Sequence, residues 1–136
     1  MRTNISGIVS CMVICVAFMA FQDNSLAASI KRGEEVYTAN CVTCHMQKGE
    51  GMEGAYPPLA KADFLAKDKT GRQAIGVVLN GMAGEITVNG KKYNVPMPAQ
   101  HYLSDQQIAD VLNYVRNSWG NKGKAITEEM VKAERK

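Results

Sequence analysis

The chain has 136 residues, of which 46% are hydrophobic and 21% charged, the size and balance of one globular domain. That excludes a disordered tail, a collagen-like fibre and a multidomain enzyme. A formal charge of +3 is too weak a bias for a nucleic-acid partner, and 7% aromatics argue against a stacking platform for single strands.

From Ile5 to Phe21 no residue is charged; Arg2 precedes this run and Ser25-Leu26-Ala27-Ala28 follows it. A basic start, an apolar stretch and small residues at −3 and −1 predict a secretory signal peptide over residues 1–27, cut after Ala27. The alternative is an uncleaved membrane anchor, for which the run is at the short limit of a bilayer span. Neither Cys11 nor Cys15 stands in a good lipidation context. The cut removes Arg2 and Asp23, so the net charge is unchanged, and it removes Cys11 and Cys15, leaving Cys41 and Cys44 as the cysteines of the mature chain. The expected organisation is a folded domain over 28–120 and a charged extension over 121–136. The expected location is the periplasm, with no stable membrane insertion unless the signal is retained.

The first predicted helix covers Ile30 to Asn40. Gly33 and Tyr37 are four apart and share a face. Glycine costs a helix ~1 kcal/mol, so Gly33 marks either the close approach of another helix or an incidental surface position; the segment alone leaves both open.

Next comes Cys41-Val42-Thr43-Cys44-His45, the C-x-x-C-H haem attachment pattern. Two thiols one helical turn apart can add to the two vinyl groups on one edge of a porphyrin. The following histidine is then aimed at the iron. A zinc site needs four ligands, and the mature chain adds only His101. A thioredoxin-like dithiol wants a βαβ context that the flanking sequence lacks.

Arg72 to Leu79, with Ile75, Val78 and Leu79 at helical spacing, predicts another helix ended by Gly81 and Gly84. Ile86-Thr87-Val88, Asn89-Gly90 and Lys91-Lys92-Tyr93 then read as strand, type I′ turn and strand. A lone hairpin is marginal in water, and the haem edge is a candidate surface for it to cover. Ser104 to Gln107 forms a capping box. Ile108, Val111, Leu112, Val115 and Trp119 follow as an amphipathic stripe, with Gly120 as the expected C-cap. Thr127-Glu128-Glu129 can start a last helical turn or two, but Asn121 to Lys136 reads mainly as a solvated extension.

The iron's second axial ligand separates a carrier from an enzyme. The candidates are His101, Met46, Met52, Met82, Met97 and Met130. Met46 is tied to the proximal side, Met52 lies in a nearby glycine-rich loop, and Met130 is in the polar tail. Met82 follows a helix and stays open as a candidate. Met97 sits between Pro96 and Pro98, whose rings restrict the backbone and remove two amide donors. A rigid loop of that kind suits a thioether held at fixed distance from a metal, and Met97 is the expected ligand.

Together these motifs resemble the class I monohaem c-type cytochromes along nearly the whole mature chain. The resemblance implies a mostly α fold of three to four helices around one covalently bound haem c, with the hairpin inserted before the distal Met loop. It implies that Gly33 and Tyr37 match the glycine and aromatic of the family's first helix, and Tyr114 the aromatic packed on it. Cys41, Cys44 and His45 would bind haem, His45 and Met97 would ligate iron, and the Pro57 carbonyl would accept the histidine Nδ1–H. The hairpin departs from the smallest members and resembles an insert in cytochromes that accompany terminal oxidases or nitrite reductases. The implied function is one-electron transfer between larger redox proteins, such as a terminal oxidase, a nitrite reductase or a dehydrogenase, without enzymatic activity. The rivals are an enzyme or gas sensor with a vacant sixth position, and a subunit of a larger oxidoreductase complex. Lys91-Lys92 and Lys122/Lys124 are either docking patches or plain solvated surface.

Overall fold

The computed structural model describes residues 24–135. The apolar run Ile5–Phe21 lies outside them. The elements follow in the order α1 (Leu26–Asn40), α2 (Val42–His45), α3 (Asp63–Lys67), α4 (Arg72–Asn80), β1 (Ile86–Val88), β2 (Lys91–Tyr93), α5 (Asp105–Asn117) and α6 (Glu128–Glu134). The chain is mostly helical with one small antiparallel sheet, as expected. No helix among the described residues is long and apolar enough to cross a membrane.

Helix α1 starts earlier than the Ile30 expected from its apolar residues. Ser25 is its N-cap, its hydroxyl accepting the Ala28 N–H at 3.2 Å. Such a cap is worth about 1 kcal/mol. The expected cleavage point after Ala27 therefore falls inside the first turn of α1.

Gly33 resolves in favour of close approach. A Cβ there would collide with the Asp110 carbonyl and lie 2.8 Å from the Tyr114 Cβ, so α1 and α5 cross backbone to backbone. Beside the crossing, the Tyr37 and Tyr114 ring centroids are 5.4 Å apart, and Trp119 lies 5.1 Å from Tyr37 and 5.2 Å from Tyr114. Tilted and edge-on rings at this spacing attract beyond their area burial. On the other side of the crossing a polar network is buried. The Ser29 hydroxyl donates to Asp110 at 2.6 Å, Arg32 donates to the same carboxylate at 2.8 and 2.9 Å, and Asn113 donates to the Ser29 hydroxyl at 2.8 Å. Asp110 and Asn113 are both buried, and their hydrogen bonds offset the cost of that burial.

The capping box of α5 is present, with Ser104 and Gln107 bonded reciprocally. Its C-terminus corrects the expectation. The C-cap is Ser118, and Trp119 leaves the helix at φ +52°. The indole covers Gly49, where a Cβ would lie 2.5 Å from the ring. The tertiary contact of Trp119 outweighs continuation of the helix.

The tail is not a solvated extension. Ile126 and Val131 are 3% and 0% exposed and belong to the main core with Ile75, Ile108 and Leu112. Asn113 accepts the Ile126 N–H at 2.7 Å and donates to the Ile126 carbonyl at 2.9 Å, pinning the segment to α5. Arg135 then donates to Asp105 and to the carbonyls of His101 and Leu103. A few apolar residues among many charges leave little periodicity, yet Ile126, Met130 and Val131 suffice to cover the second face of α5.

The hairpin forms at the expected residues, with Ile86 opposite Tyr93 and Val88 opposite Lys91. Asn89 and Gly90 have φ of +50° and +77°, as a type I′ turn demands. Val88 and Tyr93 pack with Ala62, Phe64 and Leu65 in a second cluster. Asp63 and Asn89 exchange hydrogen bonds at 2.9 and 2.8 Å, fixing the turn to α3. Lys91 pairs with Glu53 and Lys92 with Glu85 on exposed surface, so these lysines are not a free basic patch. Exposed pairs of this kind contribute little stability.

Gly33→Leu should lower stability by about 1–3 kcal/mol through overpacking against Asp110, read by thermal or denaturant unfolding. Val131→Ala should cost about 2 kcal/mol. Exposed Lys132→Ala should stay within about 0.5 kcal/mol of the parent.

Candidate functional site

Helix α1 ends at Cys41, which caps the single turn of α2. The His45 N–H donates to the Cys41 carbonyl at 2.9 Å, so the two thiols and the imidazole come from one turn. Neither cysteine is in a disulfide. Before attachment, burial and secondarily the nearby Cys44 push the pKa of the Cys41 thiol up to about 11.

The loop after His45 is built to hold that ring. Gly51, at φ +65°, comes so close to Pro57 that a Cβ would lie 2.7 Å from the Pro57 carbonyl oxygen. The approach places this carbonyl 3.0 Å from His45 Nδ1. Burial lowers the imidazole's affinity for a proton, and the Pro57 carbonyl partly opposes it. The ring is thus held with Nδ1–H donated to Pro57 and Nε2 available as a neutral metal ligand.

His45, Cys41 and Cys44 open into an apolar cleft with about 1210 Å³ of atom-free space including its mouth. Leu112 and Val115 of α5, Val78 of α4, Phe64, and Ile86, Val88 and Tyr93 of the hairpin line it. No Asp, Glu, Lys or Arg is among the lining residues. The hairpin does lie over the cleft, the surface expected for it. An apolar slot with paired thiols and a fixed imidazole fits a porphyrin carrying iron. It does not fit zinc, since no group of three or more His, Cys, Asp or Glu suited to a metal occurs among the described residues.

Two of the candidate distal ligands line the cleft, Met97 and Met82. They face each other in an isolated antiparallel bridge. The others lie elsewhere. Met46 ends α2 and its carbonyl accepts the Tyr37 hydroxyl at 2.7 Å. Met52 is 49% exposed, Met130 packs against the main core, and His101 is on the surface. The neighbourhood of Met82 and Met97 is not legible from spacing, because it depends on how the turn after α4 folds back. The α3 segment carrying Phe64 and Leu65 also gives no signal in the sequence; its few apolar residues are too short a run to show a period.

The family model described as Cytochrome c matches residues 30–119. The chain belongs to the cytochrome c family. It is 43% identical over 114 residues to a cytochrome c-552 of Thermus thermophilus, covering 79% of this chain and 76% of the relative. It is 44% identical over 107 residues to another Thermus thermophilus cytochrome c-552, covering 74% and 81% of the two chains. The cytochrome c subunit of a quinone alcohol dehydrogenase from Gluconobacter oxydans is 39% identical over 90 residues, 65% of this chain but 18% of that subunit. As a cytochrome c, the chain carries covalently bound haem c and works in haem-based electron transfer, with Cys41 and Cys44 in the expected attachment segment.

Acid–acetone extraction should leave the colour with the protein. Cys41→Ala should reduce the yield of haem-stained product severalfold, because one vinyl group then has no thiol.

Proposed function

We propose that this cytochrome c is a periplasmic one-electron carrier with His45 and Met97 as axial ligands, shuttling electrons between larger redox proteins. The observation that carries the reading is that Cys41, Cys44, His45 and Met97 line one apolar cleft, with the His45 ring already fixed by Pro57. When bound, the haem supplies a single iron that alternates between ferric and ferrous. The protein's part is to hold and insulate it. His45 offers Nε2 in a set orientation, and Met97 offers a soft thioether that raises the potential. The hairpin and α5 exclude water, which further disfavours the more charged oxidised state. Were His45 and Met97 both to hold the iron, small ligands would stay out and little would rearrange when an electron moves.

Dehydrogenase and oxidase cytochrome subunits among the relatives support redox proteins as the partner class. An apolar cleft whose lining includes no Asp, Glu, Lys or Arg supports a carrier over a peroxidase-like enzyme. The signal-like segment over residues 1–27 supports a periplasmic location. Cleavage after Ala27 would remove Ser25 and leave Ser29, with its bond to Asp110, as the second residue.

Met97→Ala should abolish the weak far-red charge-transfer band of the oxidised protein, lower the reduction potential and let ferrous protein bind carbon monoxide. Ready carbon monoxide binding by the parent would overturn the reading. The intact mass of protein from a periplasmic extract should equal residues 28–136 plus one haem. A mass retaining residues 1–27 would instead indicate the anchor.

A further inference from the structure

The geometry points to Gly81 and Met82 as a backbone clamp that positions the Met97 side chain in the cleft; this rests on Met97 being the distal ligand. Helix α4 stops at Gly81, whose φ is +74°. A Cβ at Gly81 would lie 2.5 Å from the Met97 carbonyl oxygen and 2.9 Å from the Ala99 nitrogen, so only glycine lets the two segments meet. The next residue completes the grip. The Met82 N–H donates to the Met97 carbonyl at 2.9 Å, and the Met97 N–H donates to the Met82 carbonyl at 2.8 Å. A third bond runs from the Gln100 N–H to the Val78 carbonyl at 2.8 Å, on the last turn of α4.

Pro96 and Pro98 carry no N–H, so in that triplet Met97 is the residue that can donate to a neighbour. Its donor and its acceptor are both engaged by Met82. The loop is tied to α4 through its backbone at the residue that would present the sulfur. A residue pair exchanging both bonds has its Cα atoms about 5.5 Å apart with side chains on one face. This accounts for Met82 lining the cleft beside Met97. The clamp makes Met97 a ligand whose position is set by the fold, so no ordering cost falls on the iron–sulfur bond.

Gly54 supplies the control. It has φ +79°, it does not line the cleft, and a Cβ there meets nothing within 4 Å. Gly81→Ala and Gly54→Ala therefore share a backbone strain but only the first pushes on Met97. The far-red band of each oxidised holoprotein is followed against pH and temperature, with the reduction potential and carbon monoxide binding of the ferrous form. Gly81→Ala should raise the sulfur-off population about tenfold or more, the effect expected of an overpacked contact, while Gly54→Ala follows the parent. Equal behaviour of the two variants, or an unchanged band in Gly81→Ala, would overturn the clamp. Should Gly81→Ala yield no haem protein, Met82→Pro deletes the donor to the Met97 carbonyl without adding an atom at Gly81, and should weaken the band; an intact band there also overturns it. A parent that lacks the band, or keeps it in Met97→Ala, sinks the ligand assignment itself. Loss of the band in Met97→Ala with no effect of Gly81→Ala sinks the clamp alone.

Discussion

Helices α1 and α5 meet without a side chain between them. At Gly33 the two backbones touch, because any Cβ would strike the Asp110 carbonyl. This one approach fixes the direction in which α1 delivers Cys41, and with it Cys44 and His45, toward Leu112 and Val115 on the inner face of α5. It also decides what flanks the crossing. The aromatic trio of Tyr37, Tyr114 and Trp119 closes one side, and the Ser29–Asp110–Asn113 network the other. A wider crossing would separate the rings and leave a buried carboxylate short of donors, a cost larger than the loss of one contact.

The cleft that this crossing frames is held open by separate supports. Gly51 and Pro57 hold the imidazole, the end of α4 holds the methionine loop, and the hairpin leans on α3 through Asp63 and Asn89. In two of the supports a glycine at positive φ lets backbone approach backbone, where a side chain would only pack. Such contacts are stiff, and stiffness suits a protein whose iron should change oxidation state with minimal change in surroundings.

Much of this was legible in the sequence. The attachment pattern, the capping box at Ser104 and the Asn89-Gly90 turn are local chemistry, and each appears where its residues place it. Met97 stood out because the prolines on both sides stiffen its backbone, and the structure brings it to the cleft. What escaped was tertiary. Trp119 continues the stripe of α5 by spacing, yet it leaves the helix to cover Gly49. Ile126, Met130 and Val131 are sparse apolar residues in a charged stretch, too few to show a period. Asp110 and Asn113 are polar residues on what reads as the outer side of an amphipathic helix. Their burial follows only once α1 and the tail are laid on that side.

The Ser29–Asp110 hydrogen bond joins residues 81 apart, and the attachment segment lies within that span. Closing so large a loop is slow, since its entropic cost comes before the contacts that reward it. A chain made from its N-terminus thus exposes Cys41 and Cys44 well before α5 exists to pack beside them. The order of the elements along the chain supplies a timetable in which the thiols are reachable first and covered last.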